Sequence, residues 1–250
     1  MKRIISGVVG LSFGILTLAS SAAASPLTFV GASGSHSASV SFDISGTDLL
    51  VTLTNTSGAD TLEPTDLLTA VFFTIAGDPS LTRGSVVLAA GSTVEDGTTD
   101  PGNVVGGEFA YLSGLSVYGA NQGISNSGLG IFGPGDVFAG TNLAGPADPD
   151  GFQYGIASAG DNAATGNPSL VGTPLIKNSV LVTLGGLPVG FSLKDIGNVT
   201  FQYGTALDEG HFRGGCELCA TEIQAVPEPA TLTLLGSGIL MAVRRRRRRS

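Results

Sequence analysis

The chain contains no tryptophan and only two histidines, two cysteines and two methionines among its 250 residues. Scarce imidazole groups limit the choice of general bases and metal ligands. The histidines, His36 and His211, lie far apart in the sequence, and no G-x-S-x-G nucleophile motif occurs. A carboxylate pair for glycoside hydrolysis stays open, because only the fold brings such groups to roughly 5–10 Å. We predict a protein that is not an enzyme and has no catalytic residues.

Positive charge is nearly absent from the central part of the chain. Of 12 Lys and Arg residues, two lie in the first 24 residues and six in the last 25, which leaves four. Of 20 Asp and Glu residues, one lies in the last 25, so the central part has 19 and a net charge of −15, against −8 for the whole chain. Nucleic acid and anionic lipid would repel such a surface, and we predict no nucleic-acid partner.

The first 24 residues have the three parts of an export signal. Lys2 and Arg3 are a positive start, Ile4 to Ala19 is apolar, and Ala22 and Ala24 fit an A-x-A cleavage site. We predict a signal peptide over residues 1–24 that the Sec machinery uses and that is cut after Ala24. No cysteine follows the cut, so lipoprotein processing is not expected.

The last 25 residues also have three parts. Pro227, Glu228 and Pro229 interrupt regular structure, because the proline rings remove backbone donors. The apolar segment from Ala230 to Val243 would span roughly 21 Å as a helix, short of the ~30 Å hydrocarbon core. The chain ends with a cationic stop made of Arg244, Arg245, Arg246, Arg247, Arg248 and Arg249. Moving six such charges across ~100 mV would cost roughly 14 kcal/mol, so they stay cytoplasmic.

This tail resembles the PEP-CTERM sorting signal of exosortase-dependent surface proteins of Gram-negative bacteria. The resemblance implies a precursor held transiently at the inner membrane, an exosortase that cuts near Pro227–Pro229, and a body that reaches the cell surface or the medium with exopolysaccharide, as in biofilms. The resemblance covers a tenth of the chain. An ordinary tail anchor with a cluster of stop-transfer arginines is the alternative interpretation.

Residues 25–225 form the predicted exported domain, and 226–250 the sorting signal. Alternating apolar and polar residues from Ser37 to Ile44 and from Leu49 to Leu53, around a turn at Ser45–Asp48, predict a hairpin. A short helical turn is expected from Glu63 to Leu68. Further predicted strands are Thr69–Ile75, Ser85–Ala89, Glu108–Leu112, Leu115–Tyr118, Ser179–Leu184, Phe191–Leu193, Asn198–Tyr203 and Ala220–Ala225.

The region from Gly119 to Pro174 is too rich in Gly, Pro, Asn, Asp and Ser for long strands. Its aromatic residues are expected to hold these loops on a sheet, and they are Phe132, Phe138, Phe152 and Tyr154. We predict an all-β, antiparallel, jelly-roll-like β-sandwich with long Gly-rich loops, flanked by a signal helix and a short C-terminal hydrophobic helix. The string Phe-Gln-Tyr-Gly occurs at 152–155 and 201–204, which indicates two equivalent strand ends.

Two motifs allow an ordinary structural interpretation beside a chemical one. Gly128 to Gly133 matches G-x-G-x-x-G, but a dinucleotide site needs a helix directly afterwards, and Pro134-Gly135-Asp136 follows instead. We interpret the string as a glycine-rich loop. Cys216 and Cys219 could be a redox motif, half of a zinc site with His211 and nearby carboxylates, or a local disulfide. An oxidising envelope favours the disulfide.

We predict no metal site and no cofactor. The acidic turns Asp148-Pro149-Asp150-Gly151 and Glu95-Asp96-Gly97 lack the full spaced ligand set of a calcium loop. Loops with many aspartates on so acidic a body could still gather calcium. A carbohydrate- or calcium-binding module with its ligand in the Gly119–Pro174 loops is therefore the alternative to a purely structural surface protein, ahead of a secreted hydrolase.

Overall fold

The computed structural model describes residues 25–217. Both export signals lie outside these residues, and so do Ala22, Ala24, Cys219 and the strand expected at Ala220–Ala225. The two flanking helices and the boundaries 1–24, 25–225 and 226–250 therefore stay predictions. Within residues 25–217 the regular structure consists of β-strands and five single 3₁₀ turns. The predicted all-β class is confirmed.

Six strands form the first sheet. They are β1 (Leu27–Ser33), β2 (His36–Ser45), β3 (Asp48–Asn55), β5 (Thr82–Leu88), β11 (Ser179–Gly185) and β14 (Gly215–Cys216). Their order is β14-β1-β2-β3-β11-β5, and all neighbours are antiparallel. The first three strands are a meander, whereas a jelly roll is built from two Greek keys in a double sheet. The predicted jelly-roll-like arrangement is wrong for this sheet, because tight turns such as Gly34-Ser35 connect β1, β2 and β3 directly as neighbours.

The predicted hairpin is confirmed by the pairing of β2 with β3, in which Ser45 lies opposite Asp48. The chain reverses through Gly46, whose φ of +62° suits a glycine. Burial alternates along both strands, and their buried apolar residues are Ala38, Val40, Phe42, Leu49, Val51 and Leu53. Ile44, at the end of the pattern, is 36% exposed because it lies beside the turn.

Eight strands form the second sheet. They are β4 (Leu68–Ile75), β6 (Thr93–Glu95), β7 (Ala110–Val117), β8 (Ala120–Ser125), β9 (Ile156–Ala157), β10 (Leu175–Lys177), β12 (Ile196–Tyr203) and β13 (His211–Arg213). The main order is β13-β12-β4-β9-β10-β6, and the β7–β8 hairpin joins it through the pairing of β8 with β4. One pair, β9 with β10, is parallel, so the purely antiparallel prediction is wrong at this place.

One hydrophobic core takes residues from both sheets. Phe42 of the first sheet lies 5.0 Å from Phe73 of the second, between ring centroids, and Val182 and Phe201 belong to the same buried cluster. Two sheets that share a core are compatible with the predicted β-sandwich. Burial of several whole aromatic side chains in one cluster gives the described part of the chain an extensive apolar core.

The central strand of the second sheet, β4, is buried on both of its faces. Val71 and Phe73 point into the shared core, whereas Ala70 and Phe72 belong to a separate cluster on the opposite face. Loop residue Phe132 and the β7–β8 hairpin cover that face. The predicted role of the loop aromatics is thus observed: Phe132, Phe138 and Tyr154 are buried, and Phe152 packs against a smaller cluster.

Several predicted elements differ in detail. Glu108–Leu112 and Leu115–Tyr118 are one bulged strand, β7, because its pairing with β8 continues past Ser113. Phe191–Leu193 is not a strand: Ser192 accepts a hydrogen bond from the backbone N–H of Lys194 and caps a 3₁₀ turn at Leu193–Asp195. The turn expected from Glu63 is confirmed as a 3₁₀ turn at Pro64–Asp66. The strands β1, β8, β9, β10, β13 and β14 and the short β6 were not predicted.

The two ends of the described body lie side by side. Strand β14 pairs with β1, with Phe29 opposite Cys216 and Val30 opposite Gly215. Beyond this pairing, Glu217 donates its backbone N–H to the carbonyl of Thr28 at 3.0 Å. The chain therefore enters and leaves the body at the same edge of the first sheet.

Candidate functional site

The first candidate site is a cluster of three carboxyl groups, Glu108, Asp148 and Asp150. Glu108 lies in the 3₁₀ turn Gly106–Glu108 that precedes β7, and Asp148 and Asp150 lie in the long loop between β8 and β9. Glu108 is 1% exposed and Asp148 4% exposed, whereas Asp150 lies at the surface. The Glu108 and Asp150 carboxyls both act on the pKa of the Asp148 carboxyl.

Backbone donors hold one side of the cluster. One oxygen of Glu108, Oε1, accepts hydrogen bonds from the backbone N–H groups of Leu143 and of Ala144, the latter at 3.1 Å. This loop approaches closely because glycine precedes Glu108: a Cβ on Gly107 would lie 2.0 Å from the carbonyl oxygen of Thr141. The sequence Gly106-Gly107-Glu108 therefore brings the 141–144 segment onto the carboxylate.

The carboxyl groups disturb one another's protonation. Burial raises the pKa of Glu108, against the hydrogen bonds from Leu143 and Ala144 that lower it. Burial, followed by the charges and hydrogen bonds of Glu108 and Asp150, raises the pKa of Asp148 to about 8. Burial is also the main reason why the pKa of the neighbouring Tyr154 is raised, with Glu108 and Asp148 contributing.

A hydrolase with two acids needs its carboxyl groups to face a substrate. Glu108 and Asp148 do converge, which the sequence could not show, but both are closed off from solvent. The acidic turn at Asp148–Gly151 is thus part of this cluster. The other acidic turn is used differently, because Glu95 forms an ion pair with Lys177 at 3.1 Å.

The second candidate site is a small surface recess around His36. Its lining residues are Ser35, His36, Asn55, Ser57, Ala59, Asp60, Thr61 and Asp66. The Nε2 of His36 lies 2.9 Å from Oδ1 of Asp66, and its ring stacks on Tyr203 with centroids 4.4 Å apart. The Tyr203 hydroxyl donates to the carbonyl of Ser37 at 2.9 Å, and burial raises its pKa.

The His36–Asp66 pair has the arrangement of the histidine and the acid of a catalytic triad. The third member of a triad is a serine nucleophile. A serine nucleophile must hydrogen-bond to the imidazole that deprotonates it. Within residues 25–217, no serine hydroxyl hydrogen-bonds to the His36 ring. The Ser57 hydroxyl instead lies 3.4 Å from the carbonyl oxygen of Ser37 and 3.3 Å from the Tyr203 hydroxyl. The His36 ring is packed on Tyr203 and hydrogen-bonded to Asp66.

The zinc alternative at the C-terminal end of the body needs Cys219, which lies outside the described residues, so it stays untested. His211 stacks on Tyr118 with centroids 4.3 Å apart, and Oε2 of Glu209 accepts the backbone N–H groups of Thr205 and Ala206. Among residues 25–217, no three His, Cys, Asp or Glu side chains are placed to hold a metal ion. Cys216 lies in β14, and because Cys219 is outside the described residues, the Cys216–Cys219 disulfide stays a prediction.

The glycine string is a turn. The backbone N–H groups of Ile131 and Phe132 donate to the carbonyl of Gly128 at 2.9 and 2.8 Å. A 3₁₀ turn follows at Pro134–Asp136, where Oδ2 of Asp136 accepts the N–H of Gly133 at 2.9 Å. A 3₁₀ turn, and not the α-helix that a dinucleotide site requires, follows the string, which is compatible with the interpretation as a glycine-rich loop.

The two Phe-Gln-Tyr-Gly strings lie on either side of the first residues of β4. Tyr203 pairs with Leu68 from β12, and Ile156, which follows the other string, pairs with Leu68 from β9. Tyr154 and Tyr203 are both fully buried. One string precedes a strand and the other ends one, so the strings are not equivalent strand ends. They share instead a position beside β4.

Comparison with known proteins identifies the tail. The PEP-CTERM protein-sorting motif matches residues 225–249, and these residues include Pro227, Glu228, Pro229 and all six arginines. No curated protein and no solved structure matches the chain. Within residues 25–217, no helix is long and apolar enough to span a membrane. The motif implies an exported, membrane-passing precursor that is processed by an exosortase.

Proposed function

We propose that this chain is a non-enzymatic surface or extracellular-matrix protein that an exosortase releases or transfers and that associates with exopolysaccharide in a biofilm. In this proposal the Sec machinery exports the precursor, and the signal peptide is removed after Ala24. The apolar segment and the arginines then hold the body transiently at the inner membrane of a Gram-negative bacterium. The PEP-CTERM motif at residues 225–249 is the observation that carries the proposal.

The position of the chain ends supports this topology. Because β1 and β14 are neighbours, the segments that lead to both export signals leave the body at one edge. Between Glu217 and Pro227 the extended chain could reach roughly 35 Å at most. That length lets a folded body lie outside the membrane while Pro227–Pro229 stays near the bilayer surface, where a membrane-embedded enzyme acts.

The polar sites of the body support a role without catalysis. The converging carboxyls of Glu108 and Asp148 are closed in, and the His36 recess offers no nucleophile to its imidazole. The body's charge of −15 supports a well-solvated exterior that does not adhere to anionic lipid. A secreted hydrolase would need a cleft that exposes an acid pair, and the Glu108–Asp148 pair has no such exposure.

The test follows the protein in strains with and without exosortase. With the enzyme, the mass of the product should correspond to a chain that starts at Ser25 and ends near Pro227–Pro229. Without it, the tail should be retained and the protein should remain in the membrane fraction. A variant with Pro227→Ala and Pro229→Ala should behave like the exosortase-deficient strain, whereas Asp208→Asn, in an exposed loop of the body, should be processed normally. Equal masses in both strains would overturn the sorting proposal.

The polysaccharide association needs a separate measurement. The processed protein should co-fractionate with exopolysaccharide and be released when the polysaccharide is enzymatically degraded. A body that elutes freely from polysaccharide columns and from the matrix would contradict that part of the proposal while leaving the sorting pathway intact. The observation that supports the alternative function, a calcium- or carbohydrate-binding module, is the cluster of Glu108, Asp148 and Asp150.

A further inference from the structure

Six buried side-chain oxygens within residues 25–217 have no hydrogen-bond partner. They belong to Glu95, Glu108, Asn126, Asp148, Gln153 and Thr200. Such groups are rare in folded proteins, because each one loses its hydration without replacement. Four of the six lie in the three segments that meet around the carboxyl cluster, and all four are acceptors.

The pairing of the strands shows how these segments meet. Ser125 lies opposite Ala110 in the β7–β8 hairpin, which brings Asn126 beside the residues that follow Glu108. The amide nitrogen of Asn126 donates to the carbonyl of Gln153 at 2.7 Å, so the loop after β8 also contacts the segment after Asp150. Asn126 is 1% exposed, and its amide oxygen is one of the unpartnered atoms.

The turn that carries the aspartates closes the same region. A Cβ built on Gly151 would lie 2.5 Å from Oε1 of Gln153, and one on Gly128 would lie 3.0 Å from the carbonyl oxygen of Pro149. Gln153 Oε1 is therefore close to the Asp148–Gly151 turn. Unpartnered oxygens thus belong to a 3₁₀ turn (Glu108), a hairpin end (Asn126) and the acidic loop with the segment that follows it (Asp148 and Gln153).

The protein's own cations do not neutralise the cluster. The body has only Arg83, Lys177, Lys194 and Arg213. Within the described part of the chain, the two ion pairs are Lys177 with Glu95 and His36 with Asp66. Oε2 of Glu108 and Oδ2 of Asp148, both buried, are left without a positive partner. Buried carboxylates are stable only when paired, protonated or bound to a metal.

We propose that Glu108 and Asp148 bind a divalent cation, Ca²⁺ in the first instance, with the exposed Asp150 as a third carboxylate. Ca²⁺ takes six to eight oxygen ligands from carboxylates, amide and backbone carbonyls and water. The amide oxygens of Asn126 and Gln153 are neutral candidates for the same shell. Because the described residues contain no ready-made group of three acidic ligands, the proposal requires the exposed Asp150 side chain to turn inward when the ion binds.

The location of the body suits this ion. An exported protein meets calcium outside the cytoplasm, and extracellular calcium modules have dissociation constants of about 10⁻⁴–10⁻³ M. Binding would offset part of the −15 charge of the body and tie the long β8–β9 loop to the 3₁₀ turn before β7. This inference concerns the body alone and does not depend on the exosortase pathway.

The test uses the processed protein purified from the exporting host, treated with a chelator and then titrated with CaCl₂ at pH 7.5. At 10 mM Ca²⁺ the melting temperature should rise by about 3 °C or more. Tb³⁺, which has similar ligand preferences, should bind with tyrosine-sensitised luminescence, because the charges of Glu108 and Asp148 act on Tyr154. Ca²⁺ should displace the Tb³⁺ signal.

The variants make the result specific. Glu108→Gln and Asp148→Asn should lose the calcium-dependent rise and the luminescence, whereas Asp208→Asn, which removes one exposed charge elsewhere, should keep both. Asp148→Asn should fold even if Glu108→Gln does not, because its amide can donate to the Glu108 carboxylate. The cation site would be overturned if calcium did not raise the melting temperature of the wild-type protein, or if it raised that of Asp148→Asn equally. In that case, a greater stability of Asp148→Asn in chelator would indicate that Glu108 and Asp148 share a proton instead.

Discussion

The two sheets of the body differ in what covers their outer faces. In the first sheet, residues between the buried positions of β3, such as Thr52, are only partly covered, and the strand alternates between core and solvent. In the second sheet, β4 is buried on both faces, with Phe72 fully buried on the side away from the shared core. The first sheet thus has a single apolar face, and the second has two.

The difference shows where loops contribute to the core. Phe132 lies 6.2 Å from Phe72 between ring centroids, and Tyr118 meets the Phe72 ring edge-on at 5.6 Å. Gly123 makes room for this packing, since a Cβ there would lie 2.9 Å from the Phe72 ring. The β7–β8 hairpin and the loop after β8, which contributes Phe132, therefore act together as a covering layer for the second sheet.

The largest expected effect is from deleting the outward side chain of β4. Phe72→Ala should lower the free energy of unfolding by about 3–5 kcal/mol, because a fully buried ring is replaced by a cavity. Thr52→Ala, at an outward position of the first sheet, should cost less than about 1 kcal/mol. Urea unfolding of the processed protein measures both. Equal costs would mean that the loops do not cover β4 in solution.

A smaller effect tests the close approach of the loop to the turn before β7. Gly107→Ala places a Cβ against the backbone of Thr141, which cannot move without displacing the 141–144 segment. We expect a loss of about 1–3 kcal/mol. Gly135→Ala is the matched control, because nothing lies within 4 Å of a Cβ there, and it should change stability by less than about 0.5 kcal/mol. A neutral Gly107→Ala would show that the loop is loosely held.

Sequence patterns predict the first sheet better than the second for a physical reason. The alternation from Ala38 to Phe42 records burial on one face only, and the turn at Gly46 fixes the register locally. In β4, the four central residues, Ala70 to Phe73, are all apolar, so no period separates a covered outer face from an uncovered one. The short strands β9 and β10 pair through residues far apart in sequence, and two- or three-residue strands have no period to detect.

The two candidate features also differ in how far the sequence alone predicts them. The sorting tail is contiguous, so its pattern is complete in the sequence and the motif comparison agrees with it. The carboxyl cluster unites Glu108 with Asp148, forty residues apart, and only the acidic turn around Asp148 could be noticed beforehand. A signal existed in Gly106-Gly107-Glu108, since two glycines before a carboxylate allow a backbone to approach it, but the partner segment is defined only by the fold.

The last expected effect concerns how the stability of the loop region depends on pH in the presence of a chelator. The folded-state pKa of Asp148, about 8, lies above its unfolded value of about 3.9. The native state therefore holds a proton that the unfolded chain releases between about pH 4 and pH 8. Its stabilising contribution is complete below that window and declines as the pH rises through it. One pKa unit corresponds to about 1.4 kcal/mol, so a loss of more than about 1 kcal/mol is expected between pH 5 and pH 8.5.

The variant Asp148→Asn separates this proton from the general charge of the body. Its amide can donate to Glu108 at any pH, so its melting temperature should fall less than that of the wild type between pH 5 and pH 8.5. Asp208→Asn removes one exposed negative charge and should follow the wild-type curve. If all three proteins lose stability in parallel, the decline comes from the repulsion among 19 acidic groups, and the Glu108–Asp148 contact does not hold the covering loops in place.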